Sequence, residues 1–516
     1  MQFPAFGESE FFDCRENRNA RVITLPGSER AKFDAYCDLL QSEGFSLKEI
    51  RSDSIRSFGA FSREEEGVFL NYYENTGELT IVEEVDCRYF TYRDTNLDAS
   101  ANPQITQISL EDFGLSYVIR LSDGRFIVID GGWNFEPDQE KLFRCLSEGA
   151  AEQIPVIAAW ILTHPHSDHY HCFIGFLDRY GDRVQVEKVL LNFPEAEDLE
   201  HYPAFAKADP RVDYDSSEAK NIPLMWDRIA RCGAEVYTPH TGQRYRIGDA
   251  DCEILSCMDD TLCRSYGINA GSLVVRMELA GQVILWTADT SFSIARIPER
   301  YGAYLKADIL QVPHHGFQSG DAAGEISGYD LIQPKICFLP VSDYNAYTVF
   351  CAYREGTRHL MTNVGIEEMI TGSVQRTVSL PYTPPAYAKA DLARKFAEGQ
   401  AAAGARTWIF GNLSTGREAD FRFTFLNTTH IKANVGIELF FEDGSRKIRN
   451  IRALIPPTRM QTLNIIGEEV ESETVWFRWL TLKTQGIPEN VPFTVRFISD
   501  IPIVISHPDH REIYRT

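Results

Sequence analysis

The sequence lacks any apolar stretch long enough to cross a membrane, and its first residues are neither basic nor strongly apolar. A membrane-spanning helix needs about 20 consecutive apolar residues. A secretory leader needs a basic start that is followed by an apolar core. We therefore expect a protein that does not associate with membranes and that works in the cytoplasm.

Positive charge is also scarce, because 51 Lys and Arg residues stand against 74 Asp and Glu residues and leave a net charge of −23. Proteins that hold long nucleic acids usually present basic surfaces that release counterions on binding. A metal site can still bind an anion, since divalent ions dominate the field around them. We expect a small or short anionic substrate, disfavour nucleic acid as a partner and leave a homo-oligomer open.

Cysteine shows no disulfide pattern. The chain has eleven cysteines, an odd number, and their spacing does not repeat. Secreted domains that depend on disulfides usually carry an even number at regular spacing. The cysteines are therefore predicted to be reduced thiols, in keeping with a cytoplasmic protein.

What the chain does contain is a dense group of potential metal ligands at residues 163–169, which read THPHSDH. The apolar run at 156–162 predicts a buried strand before this group. Apolar residues between 172 and 177 have the spacing of the inner face of a helix after it. The ligands are thus expected on a strand-to-helix turn.

Side chains two residues apart on such a turn can converge on one ion. His164 and His166 could hold one metal ion, and Asp168 and His169 a neighbouring one. The alternative is a polar cluster at the start of a helix, with Asp168 as the N-cap residue. Four ligand-type residues at this spacing favour the metal site.

The pattern H-x-H-x-D-H resembles the signature of the metallo-β-lactamase superfamily. The resemblance implies an α/β fold, the αββα sandwich, with metal ligands on loops at one edge of its sheets. It implies that Asp130 supports a metal-binding histidine from outside the ligand shell and that Asp289 bridges two metal ions. Of His314 and His315, one would close the shell of the second metal.

The chain departs from the family at the segment that usually supplies a third histidine to the first metal. Residues 267–272 read GINAGS where many members have G-H-T-x-G-S. Ile268 cannot bind a metal, and Asn269 offers only a neutral amide oxygen as an extra ligand or substrate contact. The first site is completed by water, is completed by a residue from elsewhere such as His240 or His359, or is less tightly occupied.

Within the superfamily, residues 116–381 are most similar to the domain found in the bacterial DNA-uptake channel family ComEC/Rec2. Both carry an asparagine-serine stretch and a His-His-Gly motif, and the ComEC/Rec2 domains are regarded as nucleases. The similarity weakens after His315. Asn345 matches the asparagine of a later N-x-Y-G-H-P segment, which suggests a substrate contact, but the Gly-His-Pro part is missing.

The ligand set predicts hydrolysis by metal-activated water. Two divalent ions are expected, with zinc as the default and manganese or iron as alternatives. Asp168 or His315 could pass a proton to the leaving group. Phosphodiesters rank first as substrates, ahead of lactones, amides and sulfate esters. The alternative from another class is a catalytically degenerate binding protein.

The length of 516 residues suggests about three domains. We predict a small α+β module at 1–100, a catalytic domain at 101–385, a helical linker at 386–403 and a β-sandwich at 404–516. In the first module Ser28 is expected to cap a helix, and a β-hairpin is expected to follow it.

Overall fold

The structure is a computed structural model, and it divides the chain into two compact units. The first unit is Met1–Ala346 with Arg354–Leu392, and the second is Tyr347–Tyr353 with Ala393–Thr516. The residues that the structure describes are 12–87, 92–94, 99–151, 153–202, 214–316, 322–343, 345–350, 355–402, 407–414, 422–426, 433–442, 446–455, 460–464, 492–499, 501, 503–507 and 512–515. Every residue that the sequence nominates as a metal ligand belongs to the first unit.

An antiparallel sheet of six strands and one helix open the first unit. The elements are β1 Phe12–Arg15, β2 Ala20–Leu25, α1 Arg30–Ser42, β3 Ser46–Ser52, β4 Arg56–Arg63, β5 Glu66–Tyr73 and β6 Glu78–Glu84. The strand order is β1-β2-β6-β5-β4-β3. Phe33 and Leu40 of α1 are fully buried in a core with Phe61 and Leu70 of the sheet. The predicted helix and the hairpin formed by β5 and β6 are both confirmed.

The expected capping role of Ser28 is wrong. The N-cap residue of α1 is Glu29, and its side chain makes no capping hydrogen bond. Ser28 Oγ instead donates to the carbonyl of Leu25 at 3.0 Å. Ser28 lies one residue too early, so its hydroxyl closes the turn after β2.

The next sheet carries the strand that precedes the ligand motif. Its strands include β7 Gln104–Gln107, β8 Ser116–Arg120, β9 Phe126–Asp130, β10 Val156–Ile161, β11 Gln185–Val186, β12 Lys188–Leu190 and β13 Glu235–Tyr237. Strands β9, β10, β12 and β13 are parallel neighbours, whereas β7, β8 and β9 pair antiparallel. The parallel part therefore directs several strand ends to one edge.

A second sheet of seven strands faces it. Its strands are β14 Arg244–Ile247, β15 Ala250–Ser256, β16 Val274–Leu279, β17 Gln282–Trp286, β18 Ile309–Gln311, β19 Ile336–Leu339 and β20 Glu368–Thr371, in that order across the sheet. Strands β17 to β20 are parallel. The chain then returns to the other sheet as β21 Arg376–Ser379, which pairs with β7 and completes eight strands.

Helices connect these strands. They are α2 Glu136–Gly149, α3 Ser167–Tyr180, α4 Tyr214–Cys232, α5 Asp260–Tyr266, α6 Ile297–Tyr301, α7 Ala322–Ile332 and α8 Glu355–His359. Further helical turns, of the 3-10 or π type, are Asp198–His201, Ile268–Gly271, Gly302–Leu305, Pro313–Gly316, Asn345–Phe350 and Leu360–Val364. Among the described residues, no helix has the length and apolar composition that a membrane crossing requires.

Two apolar cores define the layers of this αββα sandwich. The first lies between the sheets, where Ile129 and Ile161 of one sheet pack with Trp286 of the other. The second covers the outer face of the β9–β10 sheet and includes Trp160 and Phe173, which lies in α3. The expected fold class is confirmed.

The second unit is a β-sandwich. The helix α9 Ala388–Ala402 leads into β22 Thr407–Ser414, β23 Arg422–Leu426, β24 Ala433–Phe441, β25 Arg446–Ile455, β26 Met460–Asn464, β27 Pro492–Ser499, β28 Val504–Ser506 and β29 Glu512–Arg515. Five strands form one sheet and three form the other. Phe423 of the smaller sheet packs against Phe410 and Phe497 of the larger one, with ring centroids 5.1 and 4.7 Å apart. The domain boundaries drawn from the sequence stay a prediction.

Nine cysteines are free thiols, namely Cys37, Cys87, Cys145, Cys172, Cys232, Cys252, Cys257, Cys263 and Cys337. Cys172, Cys252 and Cys337 are fully buried, and burial raises the pKa of each thiol well above its usual range. That these cysteines are reduced in the cell stays a prediction.

Candidate metal centre

The candidate site is built from loops that follow strand ends. Asp130 is the last residue of β9, and His164 comes shortly after β10. Asp289 follows β17, and His314 follows β18. Within each sheet the two strands are parallel neighbours. Their carboxyl ends therefore meet at the same edge, where ligands usually bind in α/β folds.

Four side chains converge most tightly, and we call them the four-residue group: Asp168, His169, Asp289 and His315. The Nε2 atom of His315 lies 3.0 Å from Asp168 Oδ2 and 3.3 Å from Asp289 Oδ2. His169 Nε2 lies 3.2 Å from Asp289 Oδ1. One ligand atom from each residue falls within 4.8 Å of all the others. The group thus offers two imidazoles and two carboxylates to a common point.

A second convergence, the three-residue group, consists of His164, His166 and Asp289. His164 Nε2 lies 3.1 Å from His166 Nδ1 and 3.9 Å from Asp289 Oδ2. Asp289 therefore belongs to both groups. This is the division into two neighbouring sets that the spacing of the motif suggested.

The donor atoms fit divalent metal ions. Zinc takes imidazole nitrogen and carboxylate oxygen, most often four donors at a time. The four-residue group supplies such a set from buried side chains. Its oxygen content also suits manganese or iron. The three-residue group supplies fewer donors, so an ion bound there would have at least one position left for water or substrate.

The charge states favour a cation as well. Burial opposes ionisation of Asp168 and Asp289, but His169 and His315 outweigh it and lower the pKa of both carboxyl groups. Burial lowers the pKa of His164 well below 6.5, and His169 adds to this effect. Burial also lowers the pKa of His169 and His315, but Asp289 and Asp168 outweigh it and raise both, that of His315 to about 9. The carboxylates and His164 thus have the charge states that bind metals, whereas His169 and His315 would release a proton when a cation takes its place.

Asp130 supports the centre from outside the ligand set. Its Oδ2 lies 2.7 Å from Nδ1 of His169, which leaves Nε2 of that ring facing the cluster. The same carboxylate accepts hydrogen bonds from the N–H of Thr163 at 2.8 Å and from Thr163 Oγ1 at 2.7 Å. Such a partner fixes the tautomer and orientation of a metal-binding histidine.

The backbone is strained where ligands leave the strands. Asp130, Ala288, His314 and His315 all have φ between 47° and 52°, a left-handed conformation that such residues rarely adopt. Gln311 helps to hold this geometry, because its Oε1 accepts hydrogen bonds from two successive N–H groups, the second being that of Ala288 at 2.7 Å. Sequence reasoning did not identify Gln311, since nothing in its local pattern distinguishes it from an ordinary strand residue.

The third metal-binding histidine of many superfamily members is replaced here by Ile268, whose side chain lies in the core. Ile268 is 7% exposed and packs with Met258 and Cys263. The next residue, Asn269, faces the centre, with Nδ2 lying 3.3 Å from Nε2 of His314. Asn269 Oδ1 is buried and has no hydrogen-bond partner in the described part of the chain. His314 in turn lies 3.7 Å from Asp289 Oδ2 but belongs to neither ligand group.

His240 and His359 do not take the place of that histidine in this structure. Both ring nitrogens of His240 face carboxylates from the first module, Glu16 at 2.5 Å and Glu84 at 3.0 Å. His359 Nε2 lies 2.7 Å from Asp330 Oδ1. These pairings give each histidine a partner away from the metal ligands.

Asn345 begins one of the short helical turns and is half-buried. Its backbone N–H donates to Ser342 Oγ at 3.2 Å. No hydrogen bond between described residues joins its side chain to the ligand groups. A substrate contact by Asn345 stays a prediction.

Aromatic residues lie beside the four-residue group. The half-buried ring of Phe113 is 5.4 Å from the ring of His315. The carbonyl of Phe113 accepts a 2.7 Å hydrogen bond from Nε1 of Trp133, and Trp133 stacks on Phe135 at 6.0 Å. These residues were not singled out from the sequence, because isolated aromatics in loops give no local signal.

The family comparison supports this assignment. Residues 110–322 match the family model described as the metallo-beta-lactamase superfamily. That range contains both ligand groups and most of the two sheets that carry them. No curated protein matches the chain.

The solved structures that match the chain are distant from it. Igni18, described as a novel metallo hydrolase from the hyperthermophilic archaeon Ignicoccus hospitalis, is 9% identical, covers 54% of this chain and 99% of its own, and has a TM-score of 0.32. The short form of human tRNase Z is 12% identical, its match covers 54% of this chain and 100% of its own, and the TM-score is 0.29. The Anabaena sensory rhodopsin transducer is 18% identical, its match covers 20% of this chain and 95% of its own, and the TM-score is 0.16. The similarity to the superfamily therefore rests on the family-model match at residues 110–322 and not on these solved structures.

Proposed function

We propose that the chain is a metal-dependent hydrolase of the metallo-β-lactamase superfamily that cleaves phosphodiesters with metal-activated water. The observation that carries the proposal is the position of Asp289, whose carboxylate belongs to both ligand groups. A shared carboxylate is the arrangement expected where two ions act together. A metal pair stabilises both the attacking and the leaving oxygen of a phosphoryl group. We therefore rank phosphodiesters ahead of lactones, amides and sulfate esters.

The local charge supports an anionic substrate. Two divalent ions would carry four positive charges, whereas Asp130, Asp168 and Asp289 supply three negative ones. The centre is then positive although the whole chain has a net charge of −23. Divalent ions outweigh the distant surface charge in such a site. A small or short anionic substrate fits this combination better than duplex DNA.

The chain's own residues hold and orient the reacting groups. Bound divalent ions supply Lewis acidity, which activates water at neutral pH and polarises the bond under attack. Asp130 keeps His169 in one tautomer, so that its Nε2 stays directed at the centre. Asp168 or His315, whose Nε2 lies 3.0 Å from Asp168 Oδ2, is the group that we assign to taking a proton from the attacking water and passing it to the leaving group. We take zinc as the ion, with manganese or iron as the alternatives.

A substrate screen tests the proposal. The zinc-reconstituted full chain is assayed with bis(p-nitrophenyl) phosphate, a short single-stranded oligonucleotide, an acyl-homoserine lactone and p-nitrophenyl sulfate. We expect the phosphodiesters to be cleaved fastest. The variant His166→Ala should lose more than roughly 100-fold, because outer partners of metal ligands already cost 10- to 100-fold.

His359→Ala is the matched control, since it removes a histidine that pairs with Asp330 and not with the ligand groups. It should keep the activity of the natural sequence. Phosphodiesterase activity that survives His166→Ala would remove the hydrolytic assignment. Hydrolysis of the lactone or the sulfate ester alone would replace the substrate class.

The second candidate function is that of a binding protein that no longer cleaves. The observation in its favour is Ile268, which turns into the core where many superfamily members have a metal-binding histidine. Metal content discriminates the two. About two ions per chain after purification without chelator supports the hydrolase, and none supports the binding protein.

The remaining proposals follow from the composition and motifs of the sequence. We place the protein in the cytoplasm and propose that its catalytic domain is related to ComEC/Rec2-type domains. The N-terminal module and the C-terminal sandwich would contribute to packing, substrate access or assembly of a homo-oligomer. Sedimentation of the full chain tests the assembly.

A further inference from the structure

We propose that Glu218 of α4 is a positioning residue for the metal centre, because it caps the first turn of α3 and fixes the turn that carries the ligands. The inference rests on the proposed function and deepens it. It concerns a residue that lies 51 positions along the chain from the motif residue it contacts.

Both oxygens of Glu218 are engaged at the start of α3. The side chain is 1% exposed. Its Oε1 accepts a hydrogen bond from the N–H of Ser167 at 3.0 Å and another from Ser167 Oγ. Its Oε2 lies 3.0 Å from Nε2 of His171. A buried carboxylate is costly unless it is paired in this way.

The start of α3 needs such a partner. The first turn of any helix leaves backbone N–H groups without acceptors inside the helix. A side chain at the N-cap position usually accepts one of them. Here the N-cap residue is His166, which makes no capping hydrogen bond because its ring faces His164. Glu218 supplies the missing acceptor from another helix, and its negative charge suits the positive end of the α3 dipole.

Other contacts hold the same turn from its carbonyl side. The carbonyl of Asp168 accepts the N–H of Leu115 at 3.0 Å. The carbonyl of His169 accepts the N–H groups of Gly131 at 2.8 Å and Gly132 at 3.0 Å. On the N–H side of the turn, Glu218 is the residue in the described part of the chain that accepts hydrogen bonds from Ser167.

Without Glu218, the N–H of Ser167 would lose its acceptor, whereas the carbonyls of Asp168 and His169 would keep their hydrogen bonds. We therefore expect the turn to rotate about these carbonyls. Ser167 stands between His166, a member of the three-residue group, and Asp168, a member of the four-residue group. A rotation there moves ligands of both groups at once. Displacements of about 1 Å are enough to impair an active site.

The test uses the full chain and two readouts of the centre that do not need a substrate. Zinc affinity is measured by competition with a chromophoric chelator, and ligand geometry by the visible absorption of the cobalt(II) protein. Glu218→Ala should weaken zinc binding by roughly 10- to 100-fold, as loss of outer partners does, and should shift the cobalt bands. Glu218→Gln keeps an amide oxygen for Ser167 and should recover most of the affinity.

Two further variants make the outcome specific. Met225→Ala removes another fully buried side chain of α4; it should lower the unfolding temperature and leave zinc affinity and the cobalt bands unchanged. Ser167→Ala removes one of the two donors that Ser167 offers to Glu218, so it should give a smaller loss in the same direction even if Glu218→Ala fails to fold.

The outcomes separate this inference from the proposed function. If the natural sequence binds zinc and both Glu218→Ala and Ser167→Ala match it, the positioning role is wrong while the hydrolase proposal stands. An equal loss in Met225→Ala also overturns the inference, because the effect would then come from general loosening of α4. If the natural sequence binds no zinc, the proposed function fails and this inference fails with it.

Discussion

Replacing Asp130 with asparagine removes one charge and keeps the shape of the side chain. The backbone should tolerate the change, because asparagine is among the residues that adopt the positive φ of 52° found at this position. The amide cannot accept every hydrogen bond that the carboxylate accepts. Its NH2 group will face either His169 Nδ1 or a donor of Thr163, all of which now lie 2.7 to 2.8 Å from carboxylate oxygens.

The size of the effect follows from the burial of this pair. Asp130 and His169 are both fully buried, so solvent cannot replace the lost contact. Loss of such a partner typically lowers metal affinity by about 10- to 100-fold. This corresponds to about 1.4 to 2.8 kcal/mol of binding free energy. We expect a loss of zinc affinity in the upper half of this range, because the substitution removes the negative charge beside His169 and also removes the contact that fixes the tautomer of that ring.

The assay is a zinc competition titration with a chromophoric chelator. Asp138→Asn is the matched control, because Asp138 is also a fully buried aspartate but contacts Glu111 and Lys141 instead of the ligand groups. Burial raises the pKa of Asp138 to about 6, so the neutral amide is a mild change there. Equal zinc affinity in Asp130→Asn and the natural sequence would refute the reasoning.

Three further predictions concern other parts of the chain. Burial lowers the pKa of His240, but Glu16 and Glu84 outweigh it and raise the value from 6.5 to about 10. The stability that His240 contributes is therefore complete below pH 6.5 and is lost as pH rises through about 10. His240→Gln should flatten this part of a plot of unfolding free energy against pH, and an unchanged slope would contradict the prediction. Phe113→Ala should raise KM roughly tenfold for the substrate found in the screen and leave kcat nearly unchanged. The reason is that the ring beside His315 can offer the substrate apolar area worth about 1.5 kcal/mol or more. A fall in kcat alone would show that the ring only orients His315. Zinc at 100 times its dissociation constant should raise the unfolding free energy by about 2.7 kcal/mol, and a chelator should reverse the rise. An unfolding transition that neither zinc nor the chelator changes in a calorimetric scan would count against a metal site.

The ligand motif could be predicted because its members are close in sequence. His164, His166, Asp168 and His169 occupy one strand-to-helix turn, and the periodicity of the flanking apolar residues predicts both elements. Asp289 was found differently, from the order of motifs that the superfamily shares. The structure brings these residues together at 4.8 Å or less within each ligand group.

The supporting contacts could not be predicted, because they depend on tertiary packing. Glu218 meets Ser167 only when α4 packs on α3, and Gln311 meets the turn after β17 only when β17 and β18 pair. His240 was considered as a ligand because its partners, Glu16 and Glu84, lie more than 150 positions away. No local pattern in the sequence carries such information.

Substrate specificity could not be predicted from the sequence for a related reason. The superfamily signature describes how metal ions are held, whereas specificity depends on loops around them. Phe113 and Trp133 lie in such loops, and their neighbourhood became visible only in the folded chain. The relation to ComEC/Rec2-type domains stays a prediction.

Anomalous X-ray scattering from crystals of the zinc-loaded protein tests the central claim most directly. We expect two zinc peaks, one among Asp168, His169 and His315 and one beside His164 and His166, with the Asp289 carboxylate contacting both. Zinc bound elsewhere, or no peak at this edge of the sheets, would contradict it.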